Sequence, residues 1–142
     1  MAALSLDKVY QVIDAGLASA RELKVAACIA IVDASGYLMM KVRMDGATFI
    51  TVQLSEDKAY TAAAINMATH EFQDLVQPSQ ELYGLVPDAT GRLVPLPGGL
   101  PLRLNDRLVG AVGVSGGSVQ QDLQIAEAVA HSLGHGLEPS RP

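Results

Sequence analysis

Ala27-Cys28-Ile29-Ala30-Ile31-Val32, then Asp33-Ala34-Ser35-Gly36, then Tyr37-Leu38-Met39-Met40-Lys41-Val42 is the stretch on which the fold turns. The first run is short, apolar and β-branched, the middle four residues carry turn chemistry, and the third run returns as a second strand. A hairpin is the result. Outward toward the N-terminus, Ser5 is an N-cap and Val9, Val12, Ile13, Leu17 and Ala20 recur at helical spacing, which predicts an amphipathic helix from Leu6 to Leu23.

Outward in the other direction, Arg43-Met44-Asp45-Gly46 closes the second strand. The stretch from Thr48 to Ala68 is Ala-rich and free of Gly and Pro, so it reads as one helix with a break admitted near Gln53 to Ser55. Thr69 caps a short helix that Pro78 stops near Gln77. Leu93 to Leu96 reads as a strand, Leu100 to Leu104 as another, and Arg107 to Val114 as a third, buried one. Ser118 and Gln121 form a capping box that opens a last helix from Val119 to about Leu137. The expectation is a single α+β domain over residues 1–142, with helices against an antiparallel sheet of about five strands.

Composition narrows function by exclusion. The 142 residues are 49% hydrophobic, 18% charged and 4% aromatic, with a formal net charge of -5 and a single cysteine. Scattered Lys and Arg argue against a nucleic-acid partner, and no apolar run is long enough to span a membrane. Lone Cys28 cannot form an internal disulfide, and no basic start followed by a long apolar run marks a signal peptide, so the cytoplasm is expected. Mean hydropathy of +0.25 with few aromatics leaves more apolar surface than one small core uses. Self-association into a homo-oligomer, or an apolar ligand pocket, would cover it.

Five segments together resemble the GlcG/HbpS-like family, which includes the C-terminal domain of PduO-type proteins. They are Ala30-Ile31-Val32-Asp33-Ala34-Ser35-Gly36, Arg43-Met44-Asp45-Gly46-Ala47, Asp57-Lys58-Ala59-Tyr60-Thr61-Ala62-Ala63, Pro97-Gly98-Gly99-Leu100-Pro101-Leu102 and the run Val109 to Gly117. They follow the family's order and cover nearly the whole chain. The resemblance implies a PAS- or profilin-like α/β/α domain with a five-stranded antiparallel sheet, assembly into dimers or larger rings, and, for some members, haem or corrinoid-related binding. It also marks a departure: no histidine precedes His70, and Met67-Ala68-Thr69-His70-Glu71 replaces the family's more usual Pro-Thr pattern.

Several residue groups carry candidate chemistry. Gly113-Val114-Ser115-Gly116-Gly117-Ser118 joins the last strand to the last helix, where free N–H groups at Ser115 to Val119 offer a carboxylate or phosphate site; the alternative is a tight turn. Gly98 and Gly99 let backbone approach a ligand or a neighbouring subunit. Arg43, Asp45 and Lys58 are the best charged candidates for ligand binding, against the alternative of structural ion pairs. Lys58 lies among small and apolar neighbours, which favours a buried or interface position. His70 is the acid–base or haem-ligand candidate.

Weaker signals are discounted. His131 and His135 have i, i+4 spacing but no third ligand, so no metal site is expected. Cys28 reads as a small buried hydrophobe. Three functions remain open at this level: a small-molecule-binding protein for haem or another carboxylated tetrapyrrole, a cofactor-free enzyme acting on a small carboxylate or carbonyl compound, and a purely structural ring-forming accessory protein. In the second, Arg43 or Lys58 would orient substrate and His70 would move protons.

Overall fold

The computed structural model describes residues 3–88 and 91–135. Helix α1 (Leu6–Leu23) begins where the Ser5 hydroxyl accepts the Lys8 N–H at 3.2 Å. It ends at Lys24, whose left-handed backbone (φ 59°) returns its N–H to the last carbonyls of the helix. The hairpin follows as β1 (Cys28–Asp33) and β2 (Leu38–Arg43), paired antiparallel. Its turn is held by Asp33, whose Oδ1 accepts the N–H groups of Ser35 and Tyr37 at 2.9 and 3.0 Å, while Gly36 supplies a φ of +87°.

Next come α2 (Ile50–Ile65), α3 (Thr69–Leu75), the four-residue α4 (Leu85–Asp88), β3 (Gly99–Leu104), β4 (Arg107–Ser115) and α5 (Val119–His135). The sheet runs in the order β2-β1-β4-β3 with every pair antiparallel. Helix α2 covers one face, while α1 and α5 pack together against the other. Strand alternation divides β1 between them. Ile29 and Ile31 join the large apolar core with Val9, Val12, Ile125 and Val129, whereas Ala30 and Val32 meet Ala59, Ala62 and Ala63 of α2.

Three expectations need correction. The described sheet has four strands, because Leu93 to Leu96 forms no ladder. Side chains satisfy its backbone instead: the Thr61 hydroxyl accepts the Val94 N–H at 2.9 Å and lies 3.0 Å from the Arg92 carbonyl. The Thr69 hydroxyl accepts the Gly99 N–H at 2.9 Å and donates to the Leu96 carbonyl. Thr69 is therefore the first residue of α3 and a fastener for the incoming segment, with Ala68 at the cap position. Helix α2 also runs unbroken through Gln53 to Ser55, since Ser55 turns its hydroxyl back to the Val52 carbonyl at 3.1 Å.

The capping box at α5 forms as the spacing implied. Gln121 N–H donates to the Ser118 hydroxyl at 3.2 Å, and the Gln121 side chain accepts the Ser118 N–H at 3.0 Å. The expected end of this helix near Leu137 lies outside the described residues.

Candidate functional site

Lys58 is 2% exposed and is the largest fully buried side chain in the described chain. Its Nζ lies 3.2 Å from Asp122 Oδ2 and 2.9 Å from the Val114 carbonyl. Asp122, on the first turn of α5, is 3% exposed, and its other oxygen accepts the Gly117 N–H at 2.8 Å. Burial pushes the Lys58 ammonium below its usual value and the Asp122 carboxyl above its own, each against the pull of the partner. Helix α2, the end of β4 and the start of α5 are thus fastened at one point.

Both glycine-rich segments fold around that point. Gly98 has a φ of +122°, and a Cβ there would stand 2.7 Å from the Val114 carbonyl and 3.0 Å from Lys58 Nζ. Gly116 has a φ of +152°, and a Cβ would stand 2.5 Å from the Ala26 carbonyl. Gly99 is buried against the Lys58 backbone and Thr69. The N–H groups of Gly117 and Ser118, expected to receive an external anion, have intrachain acceptors in Asp122 and Gln121. The negative group at this helix start is the chain's own carboxylate. Ser115, on the same strand end, is 5% exposed.

Arg43 and Asp45 sit elsewhere, in a groove of about 320 Å3 between α1 and the end of β2. Leu17, Val42 and Met44 form its apolar walls and Arg21 adds a second guanidinium. Arg43 is braced by its own loop: Nε and Nη2 both donate to the Ala47 carbonyl, at 3.1 and 2.9 Å. Among the described residues neither Arg21 nor Arg43 has an ion-pair partner.

His70 is half-buried on α3, which packs against α2 and the edge strand β3. Its Nδ1 is sealed from solvent and has no hydrogen-bond partner. Arg43 ends β2 at the opposite edge of the sheet, and Lys58 lies inside, engaged with Asp122. A single chain therefore does not bring Arg43, Lys58 and His70 into one pocket. His131 is exposed, and the His135 side chain lies outside the described residues. No group of three potential metal ligands converges among the described residues. Cys28 is free and fully buried.

A family model described as "Haem degrading protein HbpS-like" matches residues 4–131. The chain belongs to the HbpS-like family. It is 39% identical over 134 residues to the corrinoid adenosyltransferase PduO of Salmonella typhimurium, covering 94% of this chain but 40% of that protein. It thus spans well under half the length of that relative. An uncharacterised 15.0 kDa protein of Citrobacter freundii, from the dhaT-dhaS intergenic region, is 41% identical over 127 residues and 89% of each chain. Among solved structures, a PduOC:haem complex superposes with a TM-score of 0.89 at 39% identity, covering 92% of this chain and 95% of that one.

Within this HbpS-like chain, sequence reasoning missed three residues. Asp122 is the buried partner of Lys58, Arg21 is the second guanidinium of the groove, and Arg92 knits a surface network. Arg92 lies 3.9 Å over the Tyr60 ring, donates to Asp57 at 3.2 Å and lies 3.6 Å from Glu56, which also meets Lys41 at 2.6 Å. Arg21 had a signal: it lies one turn beyond Leu17 on the same helical face, so a groove touching one would touch the other. Asp122 offered none, being 64 residues from Lys58.

Proposed function

We propose that this chain binds a haem-type tetrapyrrole in the groove between α1 and β2. The observation that carries the reading is the haem complex of a relative 39% identical with a TM-score of 0.89. The groove supports it from within the chain. Apolar Leu17, Val42 and Met44 suit the ring, and the guanidinium groups of Arg21 and Arg43 suit its carboxylates. At about 320 Å3 the groove takes one carboxylate-bearing edge of the macrocycle rather than the whole of it.

The fit is to the organic part of the group and not to its iron. Of the residues lining the groove, only Met44 offers a soft donor, and its sulfur accepts the Ala27 N–H at 3.4 Å. Titration of the full chain with haemin is expected to shift the Soret band and saturate at a small whole-number ratio to subunits. A band that stays at the free-haemin position in excess protein overturns the reading.

Self-association belongs to the same proposal. Phe49 and Ile50, adjacent at the start of α2, are 84% and 66% exposed, and Tyr37 on the hairpin is 74% exposed. A mass measurement at micromolar concentration is expected to give a homo-oligomer, and Phe49→Ser with Ile50→Ser is expected to return a smaller species; a monomer from the unaltered chain overturns this. No described helix is long and apolar enough to cross a membrane. A cytoplasmic site of action completes the proposal, supported by a single buried thiol with no disulfide partner.

A further inference from the structure

From the groove between α1 and β2 we infer that this chain recognises amphipathic carboxylates through Arg21 and Arg43, and that tetrapyrrole binding is independent of the metal at the ring centre. The inference rests on the tetrapyrrole reading and narrows it: the recognised feature is the paired carboxylate edge.

Two unpaired guanidinium groups in one small groove are the first argument. Like charges placed together without a counter-charge disfavour one another, and a dicarboxylate relieves both. Asp45 lines the same groove and is not ion-paired with either among the described residues, so the two cations outnumber the single carboxylate. The bracing of Arg43 is the second argument. Both of its bonds go to one carbonyl, Ala47 O, which fixes the plane of the guanidinium and leaves its remaining N–H groups for another acceptor. Ordering that side chain is done before a ligand arrives.

The third argument is the donor set. Leu17, Arg21, Val42, Arg43, Met44 and Asp45 include no imidazole, thiol or phenol, the groups that hold haem iron most firmly. His70, the half-buried histidine, belongs to α3 beside the other edge strand. Carboxylates and apolar surface are therefore what the groove can read.

The test is a fluorescence titration of the full chain with iron-free protoporphyrin IX, run beside the haemin titration. Protoporphyrin is expected to bind within about threefold of the haemin Kd. Arg43→Gln and Arg21→Gln are each expected to weaken both ligands by about tenfold, as loss of one charge-assisted hydrogen bond does. His70→Ala is expected to leave both affinities unchanged. Circular dichroism establishes that each variant is folded, and both arginines are exposed, so their replacement spares the core. If haemin binds and protoporphyrin does not, or if the arginine variants bind as tightly as the parent, the inference falls while the haem reading stands. Loss of haemin binding in His70→Ala overturns the inference and the groove assignment with it, and leaves standing only that the chain binds haem. If neither ligand binds the unaltered chain, both fall together.

Discussion

Lys58→Met is expected to lower the unfolding free energy by about 3–5 kcal/mol, because it leaves the Asp122 carboxylate in the core without its counter-charge. The Val114 carbonyl loses a donor in the same step. Asp122→Leu does comparable damage from the other side, stranding the ammonium and the Gly117 N–H. The double variant, Lys58→Met with Asp122→Leu, is expected to lose less than either single one, since both charges then leave the core. Urea unfolding of the four proteins, with comparable m values, measures all three differences. A double variant less stable than both singles would show that the pair stabilises the fold beyond the cost of burying it.

The pH dependence has a definite sign. Burial depresses Lys58, so its contribution to stability is full above the usual 10.5 and is lost as pH falls through the folded value. Burial raises Asp122, so its contribution is full below the usual 3.8 and is lost as pH rises through the folded value. At a pH where both groups are charged in the native chain, both contributions are lost. The double variant, which titrates at neither position, should therefore compare most favourably with the parent there and least favourably at the two extremes.

Gly113→Val is expected to yield no folded protein. A Cβ at this position would penetrate the Ser55 carbonyl oxygen and stand 2.5 Å from the Ala59 N of α2. Those are backbone atoms, which no rotamer change can move, so the cost exceeds the usual 1–3 kcal/mol or so of an overpacked core. The position does not need a positive φ; it needs the space. Gly134→Ala is the matched comparison, for nothing stands within 4 Å of its Cβ and it lies exposed in α5. That variant should gain about 0.5–1 kcal/mol from helix propensity. Far-UV circular dichroism and thermal melts of both report the contrast, and a cooperative native-like melt from Gly113→Val would refute the close-packing account.

The helix and hairpin ends were legible because their determinants are local. Leu6–Leu23 matches the capping and periodicity of its own residues, and Ser118 with Gln121 forms the box that its spacing implies. The fifth strand was misread because Leu93 to Leu96 has strand-like composition, while its backbone partners are hydroxyls from Thr61 and Thr69, about thirty residues away. Helix α2 was legible as a helix yet not in its role. Its buried face consists of Thr51, Ser55, Asp57, Lys58, Thr61 and small alanines, so no apolar stripe announces which side meets the sheet. Arg43 and Asp45 were found as residues but their companion Arg21 was not, because a groove between two elements is a property of their packing.

The division of the sheet into a large-residue face and a small-residue face has a thermodynamic consequence. The face under α1 and α5 removes mostly branched aliphatic surface from water, whereas the face under α2 packs mostly alanines around the single Val32 and is tied to the sheet by Lys58, which bonds the Val114 carbonyl and pairs with Asp122. Heat-capacity change on unfolding follows exposure of apolar surface and is reduced by exposure of polar surface. The α1–α5 layer therefore supplies most of the curvature of the stability profile with temperature, and weakens most on cooling. The α2 layer answers instead to pH and to steric fit, so one sheet joins two halves that respond to different variables.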